Sequence, residues 1–277
     1  MLKIDDFSKK MPNLDIFVKK RLIRVSLLKS KDECRKNISA DHVTRGSFTG
    51  SAKLITADFF NDDPQEVAKK LLGKNVEHFL DDGALLSVRI IETEAYYGNG
   101  DRGSHASLGF TEKRKALFMD PGTIYMYYAR GGDSLNFTCQ GRCGDAVLVK
   151  SGYPSSNDPQ MLHQMRQLNL SASGRPDRPI EKLCNGQTLL CKSLGLKVPE
   201  WDCQSLDHHP DQMSSKLRIV DSDSVPKEII QTSRLGIPKG RDEDLPYRFI
   251  DLSYIKYCSK NPLSMRKNKP IVKKIYA

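Results

Sequence analysis

The stretch from Asn75 to Tyr97 commits this chain to a β-sheet. Asn75 to Leu80 and Ala84 to Tyr97 read as the two strands of a hairpin, joined by a turn at Asp81-Asp82-Gly83. Glycine after paired aspartates supplies the backbone freedom that a tight turn needs. A second hairpin is predicted from Thr123 to Cys139, with a strand Ile124-Tyr125-Met126-Tyr127-Tyr128 and a turn around Arg130-Gly131-Gly132-Asp133. A further strand follows over Asp145-Ala146-Val147-Leu148-Val149-Lys150. Ahead of the first hairpin, Asp63 is an N-cap and Pro64 suits the first helical turn. Val67, Ala68, Leu71 and Leu72 then form one apolar stripe, and Gly73 ends the helix. Shorter helices are predicted near Met161 to Met165 and over Leu189 to Leu194, the latter stopping at Gly195. Helices beside a largely antiparallel sheet make an α+β fold, expected as a single domain.

The chain's 277 residues suffice for one large domain. No run of 18 apolar residues appears, so no membrane span is expected, and charged residues interrupt every stretch that could serve as a signal peptide. The net charge of +10 invites a nucleic-acid reading, but it is unevenly spread. Residues 1–52 carry 12 Lys and Arg against 6 Asp and Glu, and residues 252–277 carry 7 against none. Residues 53–251 hold the remaining 25 against 28, a balance of −3. The expected organisation is therefore a poorly ordered N-terminal extension over 1–52, a domain over 53–251 and a basic C-terminal tail over 252–277. Basic ends attract phosphates weakly and in a salt-sensitive way. They are equally consistent with solvated, disordered segments. The seven cysteines are odd in number and irregular in spacing, which favours reduced thiols inside a cell. Cys139 and Cys143 with His208-His209 are the one zinc candidate, but paired C-x-x-C spacing is missing.

The chemistry concentrates on the strand Ser87-Val88-Arg89-Ile90-Ile91-Glu92-Thr93-Glu94-Ala95-Tyr96. Residues two apart in a strand face the same way, so Glu92, Glu94 and Tyr96 form one row. A carboxylate beside an aromatic ring can activate water against a stacked substrate, and the same row also fits the polar face of an ordinary strand end. His105 follows in the loop Asp101-Arg102-Gly103-Ser104-His105. Gly98-Asn99-Gly100-Asp101-Arg102-Gly103 matches a dinucleotide fingerprint in letters alone, because no apolar helical stripe follows it. Tyr125 and Tyr127 share a face and Tyr128 takes the other, which fits either core packing or a stacking platform for a base. Lys113, Arg114, Lys115, Arg142 and Lys150 come from nearby segments and fit either a phosphate-facing surface or a solvated one.

Together these stretches resemble the alkyladenine (3-methyladenine) DNA glycosylase family, from about Phe59 to Ile250. The strongest piece is Arg89 to Tyr96 followed by Ser104-His105. Next comes Leu117-Phe118-Met119-Asp120-Pro121-Gly122-Thr123-Ile124-Tyr125-Met126-Tyr127. Ala146 to Lys150, Leu183-Cys184-Asn185-Gly186, Ser233-Arg234-Leu235-Gly236-Ile237 and Pro246-Tyr247-Arg248-Phe249 support it in order and spacing.

The resemblance implies a monofunctional enzyme of base excision repair. It would flip alkylated or deaminated purines of the 3-methyladenine, 7-methylguanine and hypoxanthine type from double-stranded DNA and hydrolyse the glycosidic bond. Glu94 would be the general base, with Glu92 a neighbour. Tyr96, His105 and Tyr127 would hold the base, and Asn136 would help exclude guanine. Tyr128, Arg130, Lys150 and Arg114 would contact DNA, and a hairpin would be presented to the minor groove; the family's sheet is curved. The resemblance implies no metal or organic cofactor and no strand cleavage, since no catalytic lysine matches the family's motifs. A monomer working wherever the genome is (bacterial cytoplasm, or nucleus in a eukaryote) is expected. Two departures stand out: Arg130 occupies the position of the family's aromatic wedge, and Lys150 replaces an arginine and so loses bidentate phosphate contact. The residues alone leave two other readings open. One is a non-catalytic damaged-DNA-binding relative, and the other is a hydrolase using Glu92 and Glu94 as an acid/base pair.

Overall fold

Every residue from Ile90 to Ala95 is buried, the polar Glu92, Thr93 and Glu94 included, so this strand needs pairing on both edges and cover on both faces. The computed structural model describes residues 53–129, 131–139, 144–206, 216–264 and 273–276, and it supplies both. Strand β3, Leu85–Tyr96, pairs with β2, Asn75–Phe79, along its first half, and with β9, Arg248–Asp251, along its second. Its other edge is taken by β6, Ala146–Pro154. From β6 the sheet continues to β5, Gly132–Thr138, and β4, Ile124–Ala129, the expected hairpin. From β2 it continues to β7, Leu217–Asp221, and the short β1, Lys53–Leu54. Strand β8, Glu228–Thr232, joins β9, and β10, Lys273–Tyr276, joins β8. Every pairing is antiparallel, as expected, and the sheet is open. Register shifts flank Glu92 in the β3–β6 ladder, an irregularity that bends a strand and re-aims its side chains.

Helix α1, Pro64–Leu71, begins where the sequence predicts. The Asp63 carboxylate accepts the Gln65 N–H at 2.8 Å, and Pro64 fills the first turn. Its Val67, Ala68 and Leu71 are buried against the sheet, where the Thr93 hydroxyl donates to the Ala68 carbonyl at 2.8 Å. Gly73 follows with φ +89°, and a Cβ there would lie 1.9 Å from the Ser224 carbonyl oxygen, so only glycine fits. Helix α2, Pro159–Leu168, is capped by Asp158 and runs beyond the predicted Met161 to Met165. After α3, Ile180–Leu183, helix α4, Gln187–Leu194, ends at Gly195 in the left-handed conformation. Helix α5, Val198–Trp201, is a single turn.

The main core lies between one face of the sheet and the helices, with Phe60, Leu71, Ile90, Phe137, Leu190 and Phe249 fully buried. Each such side chain contributes about 1.5–3 kcal/mol by leaving water. On the opposite face two small clusters cover the strands, one around Leu117 and Tyr125, the other around Ile230, Ile250 and Cys258. Between them lies the candidate site. The stretch read as a basic tail is partly structured: β10 extends the sheet, and the Asn185 amide donates to the carbonyls of Tyr257 and Cys258, 2.9 Å each. Residues 1–52, Arg130, Arg142, Cys143 and His208-His209 lie outside the described residues, and with them most of the zinc candidate. Among the described residues no helix is long and apolar enough to cross a membrane.

Candidate active site

The alternation of β3 carries Thr93 and Ala95 toward α1 and Glu92, Glu94 and Tyr96 to the other face. There a cavity of about 490 Å³ opens, within the size range of small-ligand sites. Its floor and walls come from Tyr96, from His105 and Leu108, from Tyr125, Tyr127 and Asn136 on the β4–β5 hairpin, from Lys150, and from the segment Leu235 to Pro238.

Glu94 is completely buried, and its carboxylate is bonded by Tyr96, Lys150 and Leu235, which all line the cavity. Its Oε2 accepts the Tyr96 hydroxyl at 2.7 Å and faces the Lys150 ammonium at 3.4 Å, while its Oε1 accepts the Leu235 N–H at 2.9 Å. Burial pushes the carboxyl pKa up. The Lys150 charge, the Leu235 N–H, the Tyr96 hydroxyl and the Arg248 charge together outweigh it and hold the carboxyl below its ordinary value. The group is therefore ionised near neutral pH. Three of its roughly four acceptor sites are used, which leaves room for about one more donor.

Glu92, two residues earlier, has a different fate. Its carboxylate accepts the Ser151 hydroxyl at 2.6 Å, the Arg248 guanidinium at 2.6 Å, and both the N–H and hydroxyl of Ser259 at 2.8 Å. It is fully buried and fully bonded, and none of these partners lines the cavity. Neither carboxylate is itself part of the cavity wall, but the partners of Glu94 are, so the row read from the sequence divides into one carboxylate bonded to the wall and one bonded away from it.

The aromatic side chains form a pre-packed set. His105 starts a 3-10 turn, His105–Leu108, whose cap is the Ser104 hydroxyl. The imidazole Nδ1 lies 3.0 Å from the Tyr125 hydroxyl, and its ring meets Tyr127 edge-on at 4.6 Å. Burial, then the charges of Arg114 and Arg241, lower the His105 pKa and favour neutral imidazole. Asn136 sits opposite Tyr125 in the hairpin register and donates its amide to the Tyr125 carbonyl at 2.9 Å. Behind Tyr96, the guanidinium of Arg234 lies 4.5 Å from the ring centroid and pairs with both oxygens of Asp101, at 2.6 and 2.7 Å. One flat face of Tyr96 is thus backed by a buried cation.

Glu94, Tyr96, His105, Tyr127, Asn136 and Lys150 are brought together as the sequence predicts. Lys150 stands at the carboxylate, its side chain only 10% exposed. Tyr128 projects from the other face of the hairpin and is exposed, apart from the cavity. Arg114 is tied to its own loop, donating to the His105 carbonyl at 2.8 Å and the Thr111 hydroxyl at 3.1 Å. Tyr125, Arg234 and Arg241 join the site or its support without having been singled out for it. The shared face of Tyr125 and Tyr127 was the available signal for the first, whereas nothing local marks the loop that carries the other two. Among the described residues no group of three His, Cys, Asp or Glu could hold a metal ion, and the five described cysteines are free.

Comparison with known proteins places the chain among relatives. The family model described as methylpurine-DNA glycosylase matches residues 58–253. A protein of Pseudomonas fluorescens (strain Pf0-1) is 57% identical over 208 residues, 74% of this chain and 86% of that protein. One from Pseudomonas aeruginosa (strain LESB58) is 54% identical over 215 residues, covering 76% and 86% respectively. A more distant one, from Methanocella arvoryzae (strain MRE50), is 30% identical over 200 residues, covering 72% and 92%. Each carries the provisional name 3-methyladenine DNA glycosylase.

Proposed function

The chain belongs to the methylpurine-DNA glycosylase family, and we propose that it removes alkylated or deaminated purines from double-stranded DNA by water-mediated hydrolysis of the glycosidic bond. The observation that carries this reading is the buried, ionised Glu94 bonded to residues that line a cavity walled by Tyr96, His105 and Tyr127. An anomeric carbon inside a stacked duplex is out of reach, so the nucleotide must rotate out, at a cost of a few kcal/mol that falls at a damaged pair. The aromatic set then receives the base between electron-rich ring faces, which suits a positively charged alkylpurine.

In the hydrolytic step the Glu94 carboxylate accepts a proton from water as the water oxygen bonds to C1′. The bond from C1′ to the purine nitrogen breaks, and its electron pair leaves with the base. A cationic alkylpurine departs neutral. Hypoxanthine leaves with the electron pair as an anion and takes its proton from solvent water. Lys150 is engaged as the partner of Glu94, so the enzyme makes no imine with the abasic product and does not cleave the strand. The Asn136 amide, fixed by the Tyr125 carbonyl, excludes guanine by crowding its exocyclic amino group. The β4–β5 hairpin, with exposed Tyr128 near its tip, approaches the minor groove. The protein acts as a monomer, with the genome, and residues 1–52 and the basic C-terminal stretch add salt-sensitive attraction to phosphates.

The deciding experiment is single-turnover release of hypoxanthine and 7-methylguanine from labelled duplexes. Wild type releases base, and Glu94→Gln slows release by about 10²–10⁴-fold while still binding the duplex. Borohydride traps no covalent complex with the wild type. Binding without release of either base by the wild type would sink the enzymatic reading and favour a damage-binding protein.

A further inference from the structure

The mouth of the cavity carries apolar surface that a charged DNA backbone does not call for. Leu108 lines the cavity and is nonetheless 63% exposed. Two residues on, Phe110 is 59% exposed and braced by an edge-on contact with Phe118 at 5.6 Å. The loop between is not slack. Gly109 turns it at φ +77°, and Arg114 ties its start to its end through the His105 carbonyl and the Thr111 hydroxyl. Next in sequence stand the exposed Lys113 and Lys115. Two large apolar side chains held outward on a braced loop contribute nothing to the core, and exposed apolar surface beside a site marks a place of contact.

We propose that Leu108 and Phe110 form a lip that enters the DNA duplex beside the extruded nucleotide and fills the gap in the base stack. This rests on the glycosylase reading above. A cavity that holds a flipped base obliges the duplex to lie across its mouth, which brings the lip against the base stack and the lysines beside it within reach of phosphates. Apolar wedges offset the cost of unstacking because they replace lost base contacts with side-chain contacts. The sequence also supplies a reason for a second wedge. The turn of the β4–β5 hairpin carries Arg130 in sequence, and an arginine contributes less apolar surface than an aromatic ring. Leu108 and Phe110 provide that surface from a separate segment.

The test uses the full chain and two variants. Both residues are exposed, so neither substitution threatens the fold. Phe110→Ala, assayed for single-turnover release of hypoxanthine from a duplex, is expected to be about tenfold slower than wild type. Phe110→Trp is titrated with a duplex carrying a stable abasic-site analogue, and its added fluorescence is expected to be quenched as the indole stacks on bases. The chain's single natural tryptophan, Trp201, packs against His78 at 5.3 Å and supplies a constant background. Unquenched fluorescence overturns the lip, as would be found if a protein surface were its occupant, and so does an unchanged rate in Phe110→Ala. A wild type that releases no base would overturn the enzymatic reading instead, and the fluorescence titration would still decide the lip.

Discussion

The Lys150 ammonium stands 3.4 Å from the Glu94 carboxylate, in a pair whose side chains are 10% and 0% exposed. This pair, with the Leu235 N–H and Tyr96 hydroxyl, keeps Glu94 ionised where burial alone would neutralise it. A carboxylate held in this way is ionised at neutral pH and remains so into mild acid.

The pH dependence follows from the sign of that shift. A carboxyl whose folded pKa is depressed keeps its charge as pH falls past the ordinary value of 4.5 and loses it only below. Release of 7-methylguanine, which leaves without added protonation, is therefore expected to hold its rate down through pH 4.5, so far as the protein remains folded. Lys150→Met removes the largest of the influences that lower the pKa, and its acid limb is expected to move upward. An acid limb at the same pH in both proteins would show that Lys150 does not tune Glu94.

Glu92→Gln separates the two glutamates. The amide keeps the shape but leaves the Arg248 charge, itself buried, without its carboxylate partner. Breaking a buried pair in this way costs about 3–5 kcal/mol, to be read from the shift in a urea unfolding midpoint. The folded fraction is expected to release base within a few-fold of the wild-type rate, in contrast to Glu94→Gln. Loss of release in folded Glu92→Gln, as large as that of Glu94→Gln, would restore the acid/base-pair reading.

Arg234 is expected to behave as a positioning residue. Its side chain is fully buried, bidentate to Asp101 and stacked behind Tyr96, and its neighbour Leu235 bonds Glu94. Arg234→Gln strands the Asp101 charge and is expected to cost about 3–5 kcal/mol. The double variant with Asp101→Asn should lose clearly less than the sum of the two single losses. In proteins that remain folded, weaker binding of a hypoxanthine-containing duplex with little change in the pH profile would show that Tyr96, not Glu94, has been disturbed. Strict additivity of the two substitutions would show that the pair is not coupled.

What the sequence determined by itself was local. Asp63-Pro64 and Gly73 bound α1, the Asp81-Asp82-Gly83 turn and the alternation after it produced β2 and β3, and Gly195 ended α4. Each is set by backbone chemistry within a few residues, which a single chain displays openly. The site residues were legible largely because their order and spacing resemble those of a known family; spacing alone left Glu92 and Glu94 equivalent. Tertiary structure decided between them. β9 and the segment after it bring Arg248 and Ser259 to Glu92, and the loop after β8 brings Leu235 to Glu94, from more than 140 residues away in every case. Strands β7 to β10 escaped local reading for the same reason, since their hydrogen-bond partners lie on distant strands and not within their own sequence. The charge state of a carboxylate depends on which donors and cations surround it after folding. Two glutamates that are equivalent along one strand become, once folded, one carboxylate anchored by Arg248 and Ser259 and one bonded to residues that line the cavity.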